Sequence, residues 1–166
     1  MIAFVRGPIV SLEEDGLVVD TGSVGLLVQA PMSMLNPRPI IGEEIMLYTY
    51  LQVREDAWNL YGFANREQLR SFRLLLNVTG VGAKTALAIV DKVSPQRLSA
   101  AIAAQETAAL TAVSGVGKKS AERILLELKD KFPAVEQTAE GVAVLPAAEE
   151  LNPDLPLPAG AEYYRN

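Results

Sequence analysis

Two glycine turns in the middle of the chain carry the residue types that suit phosphate binding. Residues 78–94 read VTGVGAKTALAIVDKVS and residues 113–129 read VSGVGKKSAERILLELK, so one pattern occurs twice at an offset of 35 positions. In both copies a Gly-Val-Gly turn precedes a helical segment that begins with lysine and a hydroxyl residue. Repetition of this kind indicates a duplicated supersecondary unit.

The chemistry of such a unit is anion binding. Glycine lets the backbone adopt positive φ and approach another molecule closely, and the helix that follows presents unpaired N–H groups and a partial positive charge. Lys118 and Lys119 oppose the dipole at a helix start by roughly 0.3–1 kcal/mol each. Glu122 offsets only part of that cost, and a DNA phosphate would remove it. The predicted DNA-binding residues are Gly80, Val81, Gly82, Lys84, Thr85, Gly115, Val116, Gly117, Lys118, Lys119, Ser120 and Arg123.

Simpler interpretations of the two turns stay open at this point. A Gly-x-Gly turn is often only a helix connection in which the central valine fills the space between helices, and lysines are often only solvated charges. Dinucleotide binding is disfavoured, since no predicted strand precedes Gly80, no third glycine follows at the required place and no P-loop is present. The recurrence of Lys84 as Lys119 favours nucleic acid.

The charges are divided unevenly along the chain. The formal net charge of the 166 residues is −5. Residues 1–63 contain three Lys or Arg against eight Asp or Glu, residues 64–133 contain eleven against six, and residues 134–166 contain one against six. A basic middle between acidic ends favours nucleic-acid binding, which the net charge alone would disfavour.

The residue types that are missing narrow the chemistry further. The sequence has no cysteine and no histidine, which excludes disulfides, thiolate metal sites, imidazole bases and the usual zinc cages. No apolar run approaches the roughly 20 residues of a membrane span, and Arg6 interrupts any signal-peptide core. We therefore expect a cytoplasmic protein that uses no cofactor or metal and contacts no membrane.

The elements before residue 65 follow a period of two. Short runs of Val, Ile, Leu and Tyr between turn signals predict a five-stranded, OB-like antiparallel β-barrel over residues 1–65. Alternating aromatic residues on both sides of Glu55 and Asp56 make that acidic pair part of a hairpin tip. The aromatic side chains there could stack on bases, but their strand spacing favours a core or an interface; they are Tyr48, Tyr50, Trp58, Tyr61 and Phe63.

The elements after residue 65 follow a helical period. Residues 66–133 are predicted to form an all-α tandem helix-hairpin-helix domain. Ser94 and Pro95 are typical of an N-cap followed by proline at the first helical position. Residues 134–166 are rich in Ala, Pro and Glu, which predicts a flexible, disordered acidic tail. The predicted fold class is therefore mixed, β first and then α.

Several short segments of the chain match one known family. They are Met1-Ile2 through Arg6-Gly7, then Val53–Ala57 followed by Leu60–Phe63, then Gly80–Lys84, and then Gly115–Arg123. On these segments the chain resembles the RuvA family, which supplies a subunit of the bacterial Holliday-junction branch-migration complex. The resemblance extends from Met1 to about Pro133.

The resemblance implies a fold and a function. It implies the barrel, the tandem helix-hairpin-helix domain, and a four-fold homotetramer that holds a four-way DNA junction open and planar for branch migration in recombination, DNA repair and the SOS response to DNA damage. It also implies that Glu55 and Asp56 form an acidic pin at the junction centre. Carboxylates placed where four phosphate backbones converge would repel them and disfavour ordinary duplex. Without the resemblance, two adjacent acidic residues at a hairpin tip would usually be only solvated residues of a turn.

Residues 134–166 do not show the sequence pattern of a third domain that is typical of the family. Family members carry a third, compact helical domain that engages the RuvB motor ATPase, and residues 134–166 have too many prolines and too little apolar periodicity to form it. Junction binding is therefore expected more firmly than coupling to a RuvB-type motor.

The leading hypothesis is a non-catalytic, junction-binding subunit, and two alternatives stand beside it. One is a helix-hairpin-helix DNA repair enzyme, which would need reactive or metal-binding acids beside a hairpin; Asp91 has no clustered carboxylate partner in the sequence. The other is an acidic protein-interaction module whose ends recruit a basic partner.

Overall fold

The N-terminal part of the chain forms strands and one short helix, and the rest of the described part forms helices. The structure is a computed structural model that describes residues 1–129 and residue 131, so the predicted acidic tail lies outside the described residues. Within residues 1–65 the strands are β1 (Phe4–Leu12), β2 (Gly16–Asp20), β3 (Gly25–Gln29), β4 (Glu44–Val53) and β5 (Trp58–Phe63). The helices up to residue 129 are α1 (Met32–Leu35), α2 (Arg66–Leu76), α3 (Ala83–Lys92), α4 (Pro95–Ala104), α5 (Ala108–Thr111) and α6 (Lys118–Leu128).

The strands close into a barrel in the order β1-β2-β3-β5-β4, as the sequence predicts. Adjacent strands are antiparallel except β3 and β5, which meet in parallel at Gln29 and Tyr61. The predicted five-stranded antiparallel barrel is confirmed, and this one contact departs from the antiparallel pattern. Strand direction cannot alternate all the way around a closed ring with an odd number of members, so one parallel contact is unavoidable.

An aromatic cluster joins the barrel to the helices. Phe72 of α2 is fully buried, and its ring centroid lies 5.7 Å from that of Tyr50, 5.1 Å from that of Tyr61 and 4.9 Å from that of Phe63. Pairs at these separations stabilise a fold by about 0.5–1.5 kcal/mol each beyond the burial of their area. The helices and strand β5 therefore share one core, which fixes the turns of the helical region relative to the barrel, and the inside of the barrel forms a second core.

Side-chain caps define the starts of two helices. The Asn65 side chain accepts a hydrogen bond from the Gln68 amide at 2.9 Å at the start of α2. The Ser94 hydroxyl accepts from the Arg97 amide at 3.2 Å, with proline at the first helical position of α4. The second cap is the one that the sequence predicts. None of the helices within residues 1–129 is long and apolar enough to cross a membrane.

Asp91 holds α3 against the short helix α1. Its Oδ1 accepts a hydrogen bond from the Ser33 amide at 2.6 Å, and its Oδ2 lies 3.5 Å from Nζ of Lys92. The Asp91 side chain is only 5% exposed. Across the described part of the chain, no three acidic side chains are grouped so that they could hold a metal ion. Asp91 thus has a structural contact, which the sequence alone did not indicate.

We expect Asp91→Ala to lower the free energy of unfolding by about 1–3 kcal/mol, because it removes a buried charged acceptor. Asp91→Asn keeps an oxygen acceptor and should cost less. Urea denaturation of both variants measures the difference. A folded Asp91→Ala variant of normal stability that had lost DNA binding would contradict this structural role.

Candidate nucleic-acid interface

The two Gly-Val-Gly turns have nearly the same backbone. The first glycine has φ +84° at Gly80 and +86° at Gly115, values in the left-handed region that favours glycine. In each turn the valine amide donates to the carbonyl three residues earlier at 3.1 Å. The duplication seen in the sequence is therefore also a duplication of geometry.

The valines of the turns point inward and the glycines lie on the surface. Val81 is 9% exposed and Val116 is 5% exposed, and both belong to the core shared with the barrel. The glycines on either side of each valine are exposed. The predicted role of the valines as plugs between helices is confirmed, and their burial leaves the backbone of each turn facing outward.

The helices that follow the turns start without side-chain caps. Their N-cap residues are Gly82 for α3 and Gly117 for α6, and neither makes a side-chain cap hydrogen bond. Neither helix has an acidic residue in its first turn. Since glycine offers no oxygen to the first-turn amides, the amides of residues 82–85 and 117–120 have no acceptor within residues 1–129. The contrast with the capped helices α2 and α4 leaves donors available to an outside anion at these two turns.

Neither backbone strain nor crowding requires glycine at the two N-caps. Gly82 has φ −86° and Gly117 has φ −80°, which any residue adopts. A Cβ built at either position meets no atom within 4 Å. The space beside both N-caps is open, which leaves room for the close approach of another molecule.

A pair of alanine substitutions in the second turn separates these two uses of glycine. Gly115→Ala should lower the free energy of unfolding by about 1–2 kcal/mol, because alanine is strained at positive φ. Gly117→Ala should change it by less than about 1 kcal/mol and yet weaken DNA binding, because its methyl group stands where a phosphate would approach. Thermal unfolding and DNA titration of both variants test this; normal DNA binding by Gly117→Ala would refute it.

The predicted cationic and hydroxyl residues cluster at the same helix starts. Lys84, Lys118, Lys119 and Ser120 are exposed, and Thr85 is half-buried. Within residues 1–129 none of these lysines lies within 4.0 Å of a carboxylate oxygen. The structure thus brings unpaired positive charge and uncapped amides together at each turn.

Arg123 lies between the two repeats. Its Nη1 donates to the Thr79 carbonyl at 3.4 Å and lies 3.5 Å from the place where a Cβ of Gly80 would be. The Thr79 amide donates to Oε2 of Glu127 at 3.2 Å. Helix α6 of the second repeat therefore binds both the backbone N–H and the backbone carbonyl of Thr79 in the first turn. Sequence reasoning assigned Arg123 to DNA and missed Glu127, although their spacing of four places them on one helix face.

The acidic pair lies at the tip of the β4–β5 hairpin, as the sequence predicts. The Arg54 amide donates to the Ala57 carbonyl at 2.9 Å and closes the turn. Glu55 and Asp56 are exposed, and in the described part of the chain neither lies within 4.0 Å of a cationic group. The tip therefore presents two uncompensated negative charges.

A cleft connects the strand that leaves this tip with the glycine turns. The cleft has a volume of about 560 Å³ and is lined by Asn59 and Tyr61 of β5, by Lys84 of α3 and by Ser114 of the second turn, among others. Burial raises the pKa of the Tyr61 hydroxyl, and the charge of Arg54 opposes that rise only in part, so the phenol stays protonated. The charged residues that line the cleft are two lysines, Lys84 and Lys92, and two aspartates, Asp15 and Asp91.

Comparison with known proteins decides the family. The family model described as "RuvA N terminal domain" matches residues 1–62, and the one described as "SAM-like Helix-hairpin-helix tandem" matches residues 72–130. A protein of Pseudomonas fluorescens named "Holliday junction branch migration complex subunit RuvA" is 42% identical over 161 residues, which cover 97% of this chain and 78% of that protein. The chain belongs to the RuvA family.

Other RuvA relatives agree with this assignment. Proteins of the same name are 50% identical over 132 residues in Chloroflexus aurantiacus and 47% identical over 133 residues in a Thermoanaerobacter species. Each alignment covers 80% of this chain, together with 68% of the Chloroflexus protein and 71% of the Thermoanaerobacter protein. The resemblance inferred from short motifs is confirmed, and within RuvA the barrel and the paired turns are the parts that the family models match.

Proposed function

We propose that this chain is the non-catalytic subunit of a branch-migration complex that binds four-way (Holliday) DNA junctions. It holds the junction open and planar in the cytoplasm during homologous recombination and DNA repair. The observation that carries the proposal is the pair of uncapped glycine turns with nearly the same backbone, in a chain that also has an uncompensated acidic hairpin tip. The names of the RuvA relatives support the same function.

The turns are suited to phosphates rather than bases. Each offers several backbone amides, a helix N-terminus and at least one exposed lysine, and these groups position a duplex without reading its sequence. Gly80–Lys84 and Gly115–Lys119 are related by the repeat. Two such turns per chain would hold two phosphates of the DNA backbone, and Thr85, Ser120 and Arg123 add further donors close by.

Four copies of the chain match the symmetry of the ligand. An open four-way junction has four equivalent arms, and closed rotational symmetry is the common rule for protein oligomers. In a homotetramer each chain serves one arm, and the acidic tips lie near the crossover. There Glu55 and Asp56 repel the converging phosphates, which keeps the arms apart and excludes continuous duplex.

A partner supplies the energy for branch migration. The sequence contains no P-loop motif, so in this proposal ATP is hydrolysed by a RuvB-type motor and this chain contributes DNA recognition. The relatives are named as subunits of a branch migration complex, which fits a division of labour between chains.

A binding comparison tests the proposal. Fluorescence anisotropy is measured with a four-way junction and with a linear duplex of the same length in the same salt. We expect the junction to bind at least about tenfold more tightly, a difference of about 1.4 kcal/mol, and native mass spectrometry to find four chains per junction. Equal affinity for the two DNAs would contradict the proposal, and DNA cleavage during the assay would favour the repair-enzyme alternative.

A further inference from the structure

The exposed side chain of Trp58 has no role in the proposal above. Trp58 is the first residue of β5 and is 77% exposed, and its cross-strand neighbour Val53 is 60% exposed. The other aromatic residues grouped with it in the sequence, Tyr48, Tyr50, Tyr61 and Phe63, belong to or pack against the shared core. The sequence favoured a core or an interface for these residues, and for Trp58 the core is wrong, because its side chain is exposed.

Trp58 lies at the base of the acidic tip. The Val53–Trp58 pair is the last pair of the β4–β5 ladder before the turn. Side chains alternate along a strand, so Trp58 lies on the same face of β5 as Leu60, which belongs to the barrel core. Beyond the end of the barrel that face is open. The indole is thus held on a rigid hairpin within three residues of Glu55 and Asp56.

The charges of the tip determine which part of a DNA molecule can approach the indole. Two carboxylates repel phosphates at short range, so the DNA backbone stays away from this point. Base faces are uncharged, and an aromatic side chain stacks on a base of any sequence. In an open, planar junction each arm ends at the crossover with a base pair that has lost its stacked neighbour.

We propose that Trp58 stacks on the last base pair of a junction arm at the crossover. The inference rests on the proposed function, since it needs an open junction at the acidic tip. With four chains on four arms, each exposed base pair meets one indole. Stacking on the indole replaces the contacts that this base pair loses with its former neighbour when the junction opens, so Trp58 would stabilise the open junction. The carboxylates of Glu55 and Asp56 would at the same time exclude continuous duplex.

Intrinsic fluorescence tests this directly, because Trp58 is the single tryptophan of the chain. The full chain is titrated with a fluorescein-labelled junction whose arms are closed by hairpin loops, and with a linear duplex closed in the same way. Anisotropy reports binding, while tryptophan emission and its quenching by acrylamide, which is uncharged, report the environment of Trp58. We expect junction binding to quench the emission and to protect the indole from acrylamide, and saturating duplex to do neither.

The outcomes separate two failures. Preferential junction binding with unchanged tryptophan emission would overturn the stacking proposal and leave the proposed function intact. Protection from acrylamide already present without DNA would also overturn it, because the indole would then be covered by a second copy of the chain. Equal binding of junction and duplex would instead contradict the proposed function.

Three variants add an independent readout. Trp58→Ala should weaken junction binding by about 5- to 150-fold, the usual effect of removing one stacking side chain. The slope of affinity against salt should stay unchanged, because no phosphate contact is lost. Trp58→Phe keeps an aromatic face and should restore most of the affinity, and Val53→Ala is the matched control at the neighbouring exposed position. Wild-type affinity in a folded Trp58→Ala variant, or failure of phenylalanine to restore affinity, would overturn the proposal.

Discussion

Replacing Lys84 and Lys119 by alanine will weaken binding to junction and duplex alike and will flatten the salt dependence of both. Each lysine that neutralises a phosphate releases counterions, so the logarithm of affinity falls with the logarithm of salt concentration by about 0.9 per contact. A tetramer that loses both lysines in every chain loses up to eight contacts, so its slope should become smaller by up to about 7. Anisotropy titrations at several salt concentrations measure the slope.

The control for this prediction removes two positive charges elsewhere. Arg38 lies in the segment between α1 and β4, and Arg97 of α4 pairs with Glu106 at 2.7 Å. Alanine at both positions changes the net charge as much as the lysine variant does. We expect only a small change of slope, because neither arginine lies at a glycine turn. An unchanged slope in the lysine variant, or an equal loss in the control, would contradict phosphate binding by the turns.

Exchanging Glu55 for Gln and Asp56 for Asn will relax discrimination against duplex. Both side chains are exposed and the substitutions keep their shapes, so folding should be unaffected. Each close contact between a carboxylate and a phosphate is worth about 1 kcal/mol of repulsion at about 4 Å in water, and the repulsion is strongest at low salt. The affinity of the variant for linear duplex should therefore rise by about fivefold or more for each acidic tip that contacts the duplex, while junction binding persists.

A second acidic hairpin provides the control for the tip. Glu13 and Glu14 are exposed and lie in the turn between β1 and β2. Replacing both by glutamine removes the same charge from the same barrel but from another turn. The ratio of junction affinity to duplex affinity should fall in the Glu55/Asp56 variant and stay constant in the Glu13/Glu14 variant. An unchanged ratio in the first would show that the tip does not act as a pin.

Local signals explain what could be read from the sequence. The glycine turns were predictable because all the residues that form each turn are neighbours in the sequence. The repeat also shows the same residue types at equivalent positions in both turns. The hairpin tip at Glu55 and Asp56 followed from aromatic alternation on its two sides. The start of α4 followed from Ser94 and Pro95. In each case short-range backbone chemistry decides the structure.

Features that depend on distant parts of the chain were not predictable. The contacts of Thr79 with Arg123 and Glu127 span 44 and 48 positions, and that of Asp91 with Ser33 spans 58. The helix α1 has only four residues and lies in a proline-rich stretch that reads as a turn. The exposure of Trp58 depends on where the barrel ends along the hairpin, which strand periodicity does not encode.

The structure of the chain bound to a four-way junction tests the central claim most directly. The account predicts phosphate oxygens about 2.7–3.2 Å from the first-turn amides of both α3 and α6, with Lys84 and Lys119 beside them and the acidic tips at the crossover. A complex in which both glycine turns face solvent, while the DNA contacts another surface of the protein, would contradict it.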